Sequence, residues 1–204
     1  MNVQLLIIDA QNDFCKPNGT LYVEGAKKDC KRLSAFIKQF KNSISGIIVT
    51  LDSHRDFDIA HPMFWYDIRT QKNPEPFTTI TASDVMRGII VPSKIADILL
   101  NGKAKEIAID YLSQLESKGK YTHTIWPFHC IVGTKGHKLN KKINKAVSKW
   151  EKHRKDYALV VKKGENALTE HYSPIRAEVV RKDDSRTDTN FEIIGRLAKA
   201  DIVI

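Results

Sequence analysis

A chain of 204 residues with 42% hydrophobic content is long enough to bury a sizeable core and reads as a globular protein. No apolar stretch approaches the length of a membrane span, and Asp9 interrupts the N-terminal apolar run where the core of a signal peptide would continue. The net charge of +9 comes largely from lysines scattered over expected helix exteriors (Lys27, Lys28, Lys31; Lys141, Lys142, Lys145, Lys149). With no Arg-rich tract among them, solvated faces are expected, and neither a nucleic-acid nor a membrane partner.

In chain order, Leu5–Asp9 is a short apolar strand of the kind buried in a parallel sheet. Residues 25–41 carry Ala26, Leu33, Phe36, Ile37 and Phe40 at helical spacing, and Gly46–Leu51 reads as the next strand. Residues 56–88 are irregular and rich in Pro and aromatics, the composition of a long functional loop. A helix is expected over 94–115, interrupted near Asn101-Gly102. A second amphipathic helix over 138–153 places Leu139, Ile143, Ala146, Val147 and Trp150 on one stripe. Ala158–Val161 reads as a third strand. Thr189-Asn-Phe-Glu192 reads as a capping box opening a helix to about Ala200, and Asp201–Ile204 as a fourth strand.

This alternation predicts one α/β domain over 1–204: a three-layer αβα fold with a doubly wound, mostly parallel sheet and a long insertion at 56–122. Such folds gather their chemistry in loops at the carboxyl ends of the strands. Asp9, then Asp52 and His54, then Lys162-Lys163-Gly164 occupy those ends. Asp52 and His54, two apart on extended backbone, point the same way. With His129 from Trp126-Pro-Phe-His-Cys130 they make an Asp/His/His set suited to one divalent ion, zinc first and manganese or iron as alternatives. Asp-x-His alone would read as a surface turn; the remaining segments turn the balance toward a metal. Three cysteines (Cys15, Cys30, Cys130) without C-x-x-C spacing fit a reducing cytoplasm better than a disulfide framework.

Four segments carry a resemblance. They are Ile8-Asp9-Ala-Gln11-Asn12-Asp13-Phe14 with Pro17-Asn-Gly19-Thr-Leu21-Tyr-Val23-Glu-Gly25-Ala26; Leu51-Asp52-Ser-His54; Ile125-Trp126-Pro127-Phe-His129-Cys130-Ile-Val-Gly133-Thr134-Lys-Gly136; and Val161-Lys162-Lys163-Gly164 with Thr169-Glu-His-Tyr172-Ser173. In this order, over essentially the whole chain, they resemble the metal-containing, nicotinamidase-type branch of the nicotinamidase/isochorismatase-like cysteine hydrolases. The resemblance implies an amide hydrolase acting on a nicotinamide-like small molecule through a cysteine thiolate. It assigns proton transfer to Asp9 and activation of the thiol to Lys163, with Lys162 as the alternative, and metal binding to Asp52, His54 and His129. His61 is a candidate fourth ligand, and Phe14 and Trp126 are candidate rings flanking the substrate. His171 is a candidate pocket residue, whereas His123, His137 and His153 read as surface residues.

The chain departs from the family at the nucleophile, which there follows the fourth strand. The expectation is therefore a fragment lacking the last strands of the sheet. The alternative is a non-catalytic metal- and ligand-binding remnant or association subunit. Apolar sheet surface left uncovered predicts association with another chain, a homo-oligomer included. Cys130 is not expected to substitute, because neighbours on extended backbone face opposite ways and its neighbour His129 is assigned to the metal.

Overall fold

The computed structural model describes residues 1–119 and 121–204; Lys120, within the expected 56–122 insertion, lies outside the described residues. The first half contains β1 (Val3–Ile7), α1 (Asn12–Cys15), α2 (Ala26–Gln39), β2 (Gly46–Asp52), a 3₁₀ turn at Pro62–Phe64, β3 (Trp65–Asp67), β4 (Thr79–Ile80), α3 (Ala82–Met86), β5 (Ile90–Pro92) and α4 (Lys94–Leu99). There follow α5 (Ala104–Ser117), β6 (His123–Thr124), α6 (Lys141–Arg154), β7 (Leu159–Lys163), a 3₁₀ turn at Ser185–Thr187, α7 (Phe191–Ala198) and β8 (Ile202–Val203). These elements form two compact units: residues 1–53, 129–163 and 189–204, and residues 54–128 and 164–188.

The first unit is an α/β body on a four-stranded sheet of order β7-β2-β1-β8, parallel throughout. Parallel strands bury both faces, so alternate residues of each strand feed different cores. Leu5, Ile7, Ile47 and Val49 pack against α2 and α6 through Cys30, Ile37, Ile143, Ala146, Val147 and Trp150. Ile48 and Val161 pack on the opposite side against Ile193 of α7, joined by Leu6, Leu159 and Leu197. The order reverses between β1 and β8, the topological switch beside which doubly wound folds bind their ligands. The expected doubly wound, mostly parallel α/β sheet is therefore present, with strand ends displaced by one or two residues.

In the second unit β3 pairs antiparallel with β5, and β4 with β6. Its core gathers Ile59, Phe64, Trp65, Ile80, Val85, Tyr111, Leu112 and Ile125. Residues 56–88, expected to be irregular, thus contain two short strands, a 3₁₀ turn and α3. Strands of two or three residues are too short to show a period of two. The interruption expected at Asn101-Gly102 separates α4 from α5, with both residues in the left-handed region (φ 53° and 78°). The last helix begins later than expected: Asn190, not Thr189, is the N-cap, its side chain accepting the Ile193 N–H at 3.1 Å. Asn is the stronger capping residue of the two.

His123, expected at the surface, is 1% exposed. Its strand pairs with Ile80, Nε2–H donates to the Ile59 carbonyl at 3.0 Å, and Nδ1 faces the Tyr111 hydroxyl at 3.4 Å. Burial pulls its pKa from 6.5 to about 4, against the raising effect of the Ile59 hydrogen bond. A base depressed on folding contributes stability that is complete above pH 6.5 and lost as pH falls from 6.5 to about 4. Urea unfolding across that window is expected to show a loss of about 3 kcal/mol from this residue. His123→Gln should remove that component of the acid limb.

Candidate active site

The site begins with strand register. In the β2–β7 ladder Asp52 stands directly opposite Lys163, so both side chains lie on the same face of the sheet. Asp9 follows β1 by two residues and turns the chain at φ 47°, a left-handed conformation that Asp tolerates better than most residues. Its backbone N–H donates to Thr50 Oγ1 at 3.0 Å, and the Thr50 hydroxyl donates back to Asp9 Oδ1 at 2.6 Å. Lys163 Nζ lies 3.0 Å from Asp9 Oδ2 and 3.1 Å from Asp52 Oδ1. With the lysine side chain only 4% exposed, water contributes little to its solvation. Burial pulls the ammonium down, but the charges of Asp52 and Asp9 and their hydrogen bonds outweigh it and hold Lys163 above the ordinary lysine value. Lys162, one residue earlier, is exposed, so strand parity selects Lys163 from the pair.

Asp52 divides its two oxygens: Oδ1 faces Lys163, and Oδ2 lies 3.2 Å from His129 Nε2. Gln11, fully buried, brackets its backbone, accepting the Asp52 N–H at 2.8 Å and donating to the Asp52 carbonyl at 2.7 Å. The loop carrying His129 is held by Asp13, whose Oδ2 accepts the Cys130 N–H at 2.8 Å. Gly136 passes so close to this carboxylate that a Cβ there would collide with it. Phe14 meets the His129 ring edge-on, centroids 5.6 Å apart. Asp9 and Phe14 also line a largely apolar cavity of about 450 Å³ with Val23, Ala26 and Leu33.

His54, just past the end of β2, turns Nδ1 to Asp58 Oδ2 at 3.0 Å, and both side chains are buried. A proton on Nδ1 makes Nε2 the lone-pair nitrogen, the arrangement in which a carboxylate orients a metal-binding imidazole. Asp52, His54 and His129 each offer one ligand atom, and these atoms lie within 4.8 Å of one another. One carboxylate oxygen and two imidazole nitrogens suit a borderline divalent cation. His61 stands outside this set. Its ring centroid is 5.0 Å from that of His54 and 5.1 Å from that of Phe128, and Nδ1 faces the Arg55 carbonyl at 3.3 Å. Trp126 donates from Nε1 to the Tyr172 hydroxyl at 3.3 Å and packs edge-on against Phe77.

Three positioning residues are not apparent from the sequence. Asp58 could have been sought by asking which carboxylate follows a ligand histidine within one turn; Gln11 and Asp13 lie inside the N-terminal motif, where nothing in the residue pattern separates their roles. Of the other histidines, His171 is buried, His137 contacts Ser53 Oγ at 2.8 Å and His153 is exposed beside Asn42. The thiols are all buried. Burial, then Asp52, Asp13 and Asp9, push Cys130 far above the ordinary thiol range, with Lys163 opposing. Burial and the hydrogen bond and charge of Cys30 push Cys15 up to about 12.

Strand order and parallel register define an α/β domain with charged groups at the carboxyl ends of its strands. The chain has the fold of the solved nicotinamidases. The yeast nicotinamidase Pnc1p superimposes with a TM-score of 0.62 at 21% identity, over 98% of this chain and 72% of that one. Its complex with the inhibitor nicotinaldehyde gives 0.56 at 23%, over 86% and 62%. The Acinetobacter baumanii nicotinamidase/pyrazinamidase gives 0.56 at 21%, over 100% and 70%. No family model and no curated protein matches the sequence.

Lys163→Met leaves two carboxylates facing each other in a buried site, and is expected to destabilise the fold by about 3 to 5 kcal/mol in urea unfolding. In the wild type, the raised lysine contributes stability that is complete below pH 10.5 and lost as pH rises beyond it. That alkaline slope should be absent from the variant.

Proposed function

We propose that this chain carries the metal-binding and proton-transfer groups of a nicotinamidase-type amide hydrolase, acting on a small nicotinamide-like amide. The observation that carries the reading is the divided carboxylate of Asp52, one oxygen turned to the buried Lys163 and the other to His129. Asp9 and Asp52 outnumber Lys163 in formal charge, so the group is one negative charge in excess and complements a cation. The donor set Asp52, His54 and His129 fits one divalent ion, zinc before manganese or iron. When bound, such an ion supplies Lewis-acid polarisation or an anchoring point for a ring nitrogen or a water. His61 is a candidate ligand only after movement from its place beside His54.

The protein's own groups divide the remaining work. Asp9, hydrogen-bonded by Thr50 and paired with Lys163, accepts the proton of the attacking group and returns it to the departing nitrogen. Lys163, 3.0 Å from Asp9 Oδ2, faces the negative charge that develops as the carbonyl is attacked. The balance is one water consumed and the amide C–N bond broken, giving a carboxylic acid and ammonia. Phe14 and Trp126 are the proposed ring contacts, and the apolar cavity beside Asp9 and Phe14 has room for a small heteroaromatic amide.

A second reading, binding of metal and a nicotinamide-like ligand without turnover, is favoured by the three buried thiols, two of which are held well above the ordinary range. Ammonia release from nicotinamide by the zinc-loaded chain separates the two. Hydrolysis that Asp9→Asn and Lys163→Met abolish supports the first reading; metal binding without ammonia at high protein concentration supports the second. Under either, calorimetry is expected to show one equivalent of Zn²⁺. Asp52→Ala, His54→Ala or His129→Ala should each weaken it by at least about tenfold. Full zinc occupancy in the triple variant would refute the metal assignment.

A further inference from the structure

The first unit contains a second pocket, of about 560 Å³, lined by four lysines, Lys16, Lys135, Lys138 and Lys141, with Asn12, His137 and Asn144 as its other polar lining and no carboxylate among them. Backbone pairing imposes this gathering. The Asn12 N–H donates to the Lys138 carbonyl at 2.9 Å, its side-chain amide donates to the Lys135 carbonyl at 2.7 Å, and Gln11 bridges to Leu139. The segment that opens α1 is thereby fixed against the one that opens α6, and four exposed ammonium groups share one opening.

Among the described residues none of these four lysines forms an ion pair with a carboxylate, whereas Lys163 forms two. Asp13, the carboxylate within the same segments, is turned to the Cys130 N–H. The N-terminus of α6 adds to the imbalance. A helix start favours acidic residues, yet this first turn has none and begins with Lys141 and Lys142. Functional sites are where local electrostatic rules are broken in this way, and a bound anion would restore the balance here.

We propose that this pocket binds a small phosphorylated molecule through an oligophosphate group, several anionic oxygens being needed to engage four ammonium groups. Its wall reaches the candidate active site by one hydrogen-bonded residue, since Gln11 Nε2 donates to both the His137 and the Asp52 carbonyls. The binding assay is independent of amide hydrolysis.

The test is calorimetric titration of the full chain with inorganic tripolyphosphate at low ionic strength. One saturating site is expected. Lys138→Gln/Lys141→Gln should weaken it by about tenfold or more. Lys149→Gln/Lys152→Gln, the same charge change further along the same helix, should leave it within about twofold. Lys16→Gln, on the opposing segment, provides an independent variant, and circular dichroism confirms that each remains folded. A nucleoside triphosphate binding more tightly than tripolyphosphate identifies a nucleotide as the source; equal or weaker binding identifies inorganic polyphosphate. No saturation, equal losses in the two double variants, or duplex DNA binding that tripolyphosphate does not displace would each overturn the proposal.

Discussion

A buried ammonium shared between two carboxylates organises the first unit of this protein. Lys163 sits between Asp9 and Asp52 at about 3 Å from each, and the strand register of β7, β2 and β1 brings the three together. Taking three charges out of water is expensive, and a lone buried lysine would lose its proton. Here the two carboxylates outweigh burial and the lysine stays charged. The arrangement also fixes which oxygen of Asp52 faces Lys163 and which faces His129, so the ion pair and the geometry of the candidate ligand set are one construction. The side chains of Gln11, Thr50 and Asp13 support it through hydrogen bonds to Asp52, to Asp9 and to the loop that carries His129.

The strand ends are legible in the sequence because a parallel sheet aligns its carboxyl ends whatever the crossovers do. An acid or base just past an apolar run therefore announces its place through the residue pattern alone, as Asp9, Asp52 and Lys163 do. Strand parity even chooses Lys163 over Lys162. The second unit is far less readable. Its strands are too short for a period to appear, so His123 reads as a surface residue although it lies against Tyr111 and Ile59. Asp58 is hidden for a different reason: its role exists only once His54 is taken as a ligand, and a single carboxylate in a polar loop has no pattern of its own.

Charge deceives in the other direction. Counted along the chain, the lysines look like dispersed solvated faces, and for Lys27, Lys28 and Lys31 on α2 that remains a sufficient description. Lys16 is more than a hundred residues from Lys135, Lys138 and Lys141, and only the pairing of their backbone segments brings them to one opening. A formal charge of +9 on a chain of this length is ordinary in itself; the meeting of four lysines at one pocket is what the total does not reveal.

Whether Asp52 divides its oxygens between Lys163 and a metal is read most clearly from the ligand set of the zinc-loaded protein. X-ray absorption at the zinc edge, on the full chain carrying one equivalent of Zn²⁺, reports the ligand atoms. Nitrogen and oxygen neighbours near about 2.0 to 2.2 Å, with the outer-shell signature of two imidazoles, are expected. A sulfur neighbour near 2.3 Å, placing a cysteine on the ion, or a shell of water oxygens without imidazole, would contradict that division.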